Sequence, residues 1–302
     1  MIPEKTNSTE SGFTLIVVLG FLFVVTLMIT PFVTQTRNEL FIGHTNQTLE
    51  RLEFLANGLV DVLAMRILSS FETSELPFSL NGVEETCRVG GFNIQVKVQD
   101  HRGLIDLNTA NISLLKLGFQ STGMSDIVAE THAKTVIHLR SPFSGPAPLG
   151  VFSTHTNRRL GRFASALELM DIASTHRLNH RVIARTFTVH TGAGILRTDL
   201  APPPLINALE ERVTTGNPLT SDNQPTVPNG IYTIEITLLA KKKNLFKSIS
   251  SVVAIGVHNN RPSQLLEHIP PEPIRTESRT QRPDGCGEIF GSSVNDIVQA
   301  ME

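Results

Sequence analysis

Gly12-Phe13-Thr14-Leu15-Ile16 opens the stretch that decides the architecture: Phe13 to Val33, FTLIVVLGFLFVVTLMITPFV, twenty-one residues without a charge. A helix of that length rises about 31 Å at 1.5 Å per residue, which matches a hydrocarbon core of about 30 Å. The segment is expected to span a membrane. Beyond Pro31 the apolar residues fall at spacings of three and four: Leu40, Phe41, Leu49, Leu52, Phe54, Leu55, Leu59, Val62, Leu63 and Leu68. Arg37, Glu39, Glu50, Arg51, Asp61 and Arg66 stand between them. Span and amphipathic half together predict one helix of about 60 residues. Pro31 is where it can bend, since an interior proline removes a backbone bond and crowds the preceding turn.

An ordinary secretory signal has its small-x-small cleavage site after the apolar core. Here the small residue, Gly12, stands before it. The Gly12-Phe13-Thr14-Leu15-Ile16 junction resembles the prepilin-peptidase site of type IV pilins and type II secretion pseudopilins, where a short leader is removed on the cytoplasmic side and the apolar helix is kept. The resemblance implies cleavage between Gly12 and Phe13. Most members of that superfamily carry Glu five residues into the mature chain, and this sequence has Val17. A carboxylate at bilayer depth costs about 2.5 to 3.5 kcal/mol and needs a partner. In pilins that partner is taken to be the N-terminal amine of the subunit ahead. A tip subunit has none ahead of it, so the apolar Val17 is what a tip position implies. A plain N-terminal signal anchor is the alternative. The leader carries Lys5 against Glu4 and Glu10, and the first charge after the span is Arg37, so charge bias does not establish orientation.

With 302 residues the chain is long enough for two modest domains beyond the anchor. A net charge of −2 exerts no global pull on nucleic acid or anionic lipid, and the absence of Trp with a single Tyr232 leaves few stacking platforms for single strands. Cys87 and Cys286 are the only cysteines. In an extracytoplasmic domain they could form one disulfide, but the plainer reading is two separate thiols, because spacing does not show that the sulfurs meet. Two cysteines are too few for a zinc site built from thiolates alone.

FNIQVKVQ, Phe92 to Gln99, alternates strictly and reads as a half-buried strand. IYTIEITLLA (Ile231 to Ala240) and KSISSVVAIGV (Lys247 to Val257) read as a hairpin across Lys241, Lys242, Lys243 and Asn244. Between the first strand and the second lies a region with helical spacing. Ala110 to Leu117, capped by Asn108 or Thr109, and Asp126 to Leu139 are two expected helices; Phe163 to Ala173 and Pro203 to Val213 are two more. SPFSGPAPLG, Ser141 to Gly150, divides the insert into two lobes. The end of the chain, rich in Pro, Arg and Glu, is expected to be extended, with a short helix at Val294 to Met301.

Asp100-His101-Arg102-Gly103-Leu104-Ile105-Asp106-Leu107-Asn108-Thr109-Ala110, followed by Leu114-Leu115, resembles the D-x-x-G-x-I-N-L-N-T-A-x-x-x-L-L stretch of the K-type minor pseudopilins of type II secretion. Phe163 to Leu169, Phe187-Thr188-Val189-His190-Thr191-Gly192 and Leu200-Ala201-Pro202 resemble the second half of the same domain. Arg197-Thr198-Asp199-Leu200-Ala201-Pro202 departs from the usual N-x-x-T-A-P there.

The resemblance implies an α+β fold, a pilin-like long N-terminal helix packed on a small antiparallel sheet, with a large helical domain inserted between strands. The expected divisions are a leader at 1–12, a transmembrane helix at 13–36, the periplasmic helix half and first strand region at 37–100, the insert at 101–228, a final hairpin at 229–258 and an extended tail at 259–302. It implies a non-enzymatic subunit at the tip of the pseudopilus, initiating or capping the filament for export of folded proteins across the outer membrane. Its partners would be I- and J-type minor pseudopilins through the N-terminal helix, prepilin peptidase, and the inner membrane, with the bulk of the chain in the periplasm. Calcium is a cofactor of the family's head domain, and Asp284 and Glu288 are acidic candidates here, without the regular spacing of a hard-ion loop.

A minor pilin of a type IV pilus is the nearest alternative. A helix-hairpin-helix reading of LIDLNTA is another, in which helix N-termini hold a DNA phosphate. The tight Gly-x-Gly hairpin that this requires is replaced by Gly118-Phe119-Gln120-Ser121-Thr122-Gly123. His176 and His180 have the i, i+4 spacing of a zinc pair, but Arg177 stands where a metalloprotease needs its Glu.

Overall fold

The computed structural model describes residues 10–73, 76–141, 161–172, 178–213, 230–240, 245–258, 261–270, 286–292 and 294–299. The chain divides into two compact units, Met1–Arg51 and Leu52–Glu302. Helix α1, Glu10–Thr73, contributes to both.

In the first unit the apolar run is helical, and Leu15, Phe21, Phe23 and Met28 are all more than half exposed. The side chains described in this run are those of residues 15–30, about 24 Å of helix. Among the described residues no helix is long and apolar enough to cross a membrane. The uncharged sequence continues at both ends of that stretch.

The second unit is built on a five-stranded antiparallel sheet in the order β1-β2-β5-β6-β7. Its strands are Asn81–Val89 (β1), Phe92–Asp100 (β2), Gly230–Ala240 (β5), Leu245–His258 (β6) and Arg261–Ile269 (β7). Two short strands, Ile105–Asp106 (β3) and Phe187–Thr188 (β4), pair in parallel elsewhere. Alternation gives the large sheet two unlike faces. Ile94, Val96, Val98, Tyr232, Ile234, Ile236 and Leu238 are buried on one face. Lys247, in register with Leu238 on that face, reaches Glu53 of α1 at 2.5 Å. The helix therefore lies on the apolar face, and it buries Leu52, Leu55, Ala56, Leu59, Leu63 and Ile67 at the spacing of one helical stripe.

The opposite face is polar, with Lys97, Gln99, Thr233, Glu235, Thr237, Ser248 and Ser250. A helical lobe inserted between β2 and β5 sits there. It contains α2 (Ile112–Ser121), α3 (Asp126–Arg140), α4 (His180–Thr186) and α5 (Pro203–Val213), with 3-10 turns at Ala166–Asp171 and Thr198–Leu200. Its own core is Ile105, Leu115, Leu117, Phe119, Ala133, Val136, Phe187, Leu196 and Leu205. Phe119 and Phe187 stack tilted, with ring centroids 4.9 Å apart.

Two expectations are corrected. Residues 261–269 form the edge strand β7, where an extended tail is expected from 259 onward. Cys87 and Cys286 are bonded, with Cα atoms 5.1 Å apart, where two separate thiols are the plainer reading of the sequence. The bridge ties α6 (Cys286–Phe290), followed by α7 (Val294–Gln299), to β1. Leader residues 1–9, the Lys241 to Asn244 turn, most of the SPFSGPAPLG segment, and Asp284 lie outside the described residues.

Candidate functional site

The Asp100 to Ala110 stretch is the joint between sheet and lobe. At the end of β2, Asp100 is fully buried and its carboxylate accepts from the Arg102 backbone at 2.8 Å. The same carboxylate pairs with the Arg102 guanidinium at 2.5 Å, which holds the 3-10 turn His101–Gly103 as the chain leaves the sheet. That pairing raises the Arg102 pKa against the opposing effect of burial. At Gly103 the lobe's two halves touch. A Cβ there would stand 2.0 Å from the carbonyl oxygen of Leu200, so only glycine fits.

Asp106 is buried on β3, and its side chain organises both halves of the lobe. One oxygen accepts from the Asn108 backbone at 2.8 Å. The other accepts from Thr191 N, Thr191 Oγ1 and Gly192 N at 3.1, 2.9 and 2.8 Å. Asn108 imitates a strand partner: its Oδ1 accepts from Phe163 N at 2.8 Å and its Nδ2 donates to Phe163 O at 2.9 Å. Arg140, at the end of α3, donates to the carbonyls of Leu107 and Ala110, each at 2.7 Å. Leu107 and Ala110 are fully buried, and the Thr109 hydroxyl is buried with no hydrogen-bond partner among the described residues. The motif residues Gly103, Asp106, Leu107, Asn108, Thr109 and Ala110 are thus gathered at one place, and their partners belong to the chain itself. The α2 cap is Asn111, whose side chain accepts from Leu114 N, rather than Asn108 or Thr109 as the sequence is read.

A second set of polar contacts docks the lobe on the sheet. His101 is buried between two threonines, Nδ1 to Thr188 Oγ1 at 2.7 Å and Nε2 to Thr233 Oγ1 at 2.8 Å. Burial, with His190 nearby, lowers its pKa from 6.5 to about 3, so the ring is neutral. His190 Nε2 lies 3.7 Å from Glu267 of β7, and Ser165 Oγ donates to the same carboxylate at 2.6 Å. Those contacts hold the Glu267 pKa below its usual value. The serine is bonded to the acid and not to the histidine, so this trio is not a nucleophile with its base.

In the helical hairpin α2–α3 an acid stands at a helix start, where the DNA reading would put a phosphate. At the α3 N-terminus, Asp126 accepts from Lys116 and Gln120, both at 2.8 Å, and Lys116 also reaches Glu130 at 3.1 Å. The Asp126 carboxylate, in the first turn of α3, opposes a phosphate there. His180 begins α4, while His176 lies outside the described residues. Among the described residues no group of three or more His, Cys, Asp or Glu side chains could hold a metal ion; Glu288 lies on α6. Gly12 and Phe13 lie in the first turns of α1, and Val17 is 53% exposed.

No protein-family model matches the chain, and no curated protein matches it by sequence. Among solved structures, it is similar to a chain of the GspK-GspI-GspJ complex of the enterotoxigenic Escherichia coli type 2 secretion system. The TM-score is 0.48 at 9% identity, over 79% of this chain and all of that one. At that identity nothing about function is carried over from it.

Proposed function

We propose that this chain is a non-enzymatic minor pseudopilin of the K type, placed at the tip of a type II secretion pseudopilus, where it initiates or caps the filament. The observation that carries this reading is the insertion of a helical lobe between β2 and β5 of a sheet backed by the helix that begins with the uncharged run. A pilin needs the helix and the sheet. The lobe adds bulk that suits a filament end and not a stacked shaft.

Residues 13–33 anchor the protein in the inner membrane as a single span, prepilin peptidase removes residues 1–12, and the remainder lies in the periplasm. The Cys87–Cys286 bridge supports an oxidising compartment of that kind. Val17 spares the tip subunit an unpartnered carboxylate at bilayer depth. The partners are the I- and J-type minor pseudopilins, met through the exposed apolar surface of α1.

Deletion of the gene tests the reading. The expected result is accumulation of exported proteins in the periplasm, restored by the wild-type chain. Intact secretion with loss of surface pili would assign the subunit to a type IV pilus instead. In the same assay Val17→Glu is expected to impair tip assembly, and unchanged assembly would remove the role given to that position.

A further inference from the structure

The bridge between Cys87 and Cys286 joins edge strand β1 to the short helices α6 and α7. Cys87 stands in register with Ile94, so it lies on the apolar face of the sheet, the face that α1 covers. Val89, two residues on, shares that face and is buried. Both α6 and α7 pack against β1. Together they extend the layer begun by α1 over the edge strand. Where the two meet, the Arg66 guanidinium of α1 donates to the Glu288 carbonyl at 3.3 Å.

Neither helix can hold itself. α6 has five residues and α7 six, well below the about 12 to 15 that an isolated helix needs. Their place depends on what they touch. Ile289, Phe290, Val294 and Val298 are buried, and Gly291, with a φ of +89°, closes α6 through its N–H to Gly287 O at 2.9 Å. Burial of four apolar side chains is set against the chain entropy lost in ordering both helices, and the two are of similar size. The bridge tips that balance, because it keeps the helices beside β1 even when their side chains let go. The rest of the second unit does not depend on them. The lobe core contains no residue of α6 or α7, and Ile234, Ile236 and Leu238 are buried on the interior strand β5, on the face that α1 covers.

We propose that α6 and α7 form a strap latched by redox chemistry. With the bridge closed, the strap covers the apolar face at β1. Both cysteines are buried, so a dithiol reductant reaches the bridge only as the strap lifts. One thiolate of the reductant attacks a bridge sulfur, the Cys87–Cys286 bond breaks, and the second thiol resolves the mixed disulfide. Two electrons and two protons pass to the cysteines, which become thiols, and the reductant becomes a disulfide. The strap then leaves, and Cys87 and Val89 open an apolar strip beside α1 while sheet and lobe remain folded. Oxidation of the two thiols by a disulfide reverses the exchange and closes the latch. The device stands independently of the pseudopilin reading.

The test is thiol alkylation with amide hydrogen exchange, both read by mass spectrometry on the full chain in detergent, before and after dithiothreitol has reduced the bridge. Before reduction no thiol is expected to alkylate. Afterwards Cys286 is expected to alkylate within about tenfold of the rate of an unfolded peptide thiol, and amides of α6 and α7 to exchange at least about thirtyfold faster. Peptides from β2, β5 and the lobe are expected to keep their protection. Cys87→Ser is expected to give the same released strap without reductant. Free thiols before reduction, a reduced Cys286 that stays protected, or loss of protection that spreads to β2 and β5 would each overturn the proposal. The comparison before and after reductant uses the wild-type protein, so it holds even if the variant fails to fold.

Discussion

Asp106 accepts two hydrogen bonds from Thr191, eighty-five positions away: one from its backbone N–H at 3.1 Å and one from its hydroxyl at 2.9 Å. A third comes from Gly192 N, so one buried carboxylate fastens the first half of the inserted lobe to the second. Asp106→Ala leaves four donors, Asn108 N included, without that acceptor and is expected to destabilise the fold by about 3 kcal/mol, with Asp106→Asn costing less. Chemical denaturation of the two variants measures this. Unchanged midpoints would show that the motif residue does not organise the lobe.

Gly103 is limited by contact and not by conformation. Its added Cβ would meet backbone, Leu200 O at 2.0 Å and Ala201 N at 2.8 Å, which cannot swing away as a flexible side chain can. Gly103→Ala is expected to cost about 3 kcal/mol or more. Gly123, with a φ of +91° and open space around it, is limited by conformation instead, and Gly123→Ala is expected to cost about 1 kcal/mol. Melting temperatures of the pair separate the two causes.

His101 sets an acid sensitivity. Its folded pKa of about 3 lies below its ordinary 6.5, so between those values the unfolded chain binds more protons, and stability is lost as the pH falls. The slope from this residue is at most about 1.4 kcal/mol per pH unit, and the loss is complete below about pH 3. Glu267, held below its usual pKa by His190 and Ser165, loses its contribution in the same direction as it is protonated. His101→Gln is expected to flatten the stability profile between about pH 4 and 6. A profile identical to wild type would contradict the buried, neutral ring.

The Cys87–Cys286 bridge closes a separation of 199 residues. Its removal in Cys87→Ser with Cys286→Ser is expected to cost about 2 to 5 kcal/mol. The cost should appear equally in the wild-type protein under reductant. A melting temperature indifferent to reductant would show that the bridge does not form.

The sequence showed its interior strands and concealed its edges. FNIQVKVQ alternates because β2 is paired on both sides and buried on one face, and the β5–β6 pairing was legible for the same reason. β1 and β7 stand at the edges, where burial is partial and polar residues are tolerated. NGVEETCRV and RPSQLLEHI therefore carry no clean period, and both were missed. Helices with a packed face, such as α3 and α5, appeared where spacing put them, while the described part of Phe163 to Ala173 holds the 3-10 turn Ala166–Asp171 in place of an α-helix. The motif's location was legible, but its role was not. Only the fold brings Asp106 to Thr191, Asn108 to Phe163 and Gly103 to Leu200.

The central claim is that the apolar helix is a pilin-type anchor released from its leader between Gly12 and Phe13. The direct measurement is the N-terminal residue of the mature protein by mass spectrometry, in cells with and without prepilin peptidase. The account predicts a chain beginning at Phe13 only when the peptidase is present. A chain that keeps Met1, or one cut elsewhere in both strains, would contradict it and leave a signal-anchored protein whose lobe acts on its own.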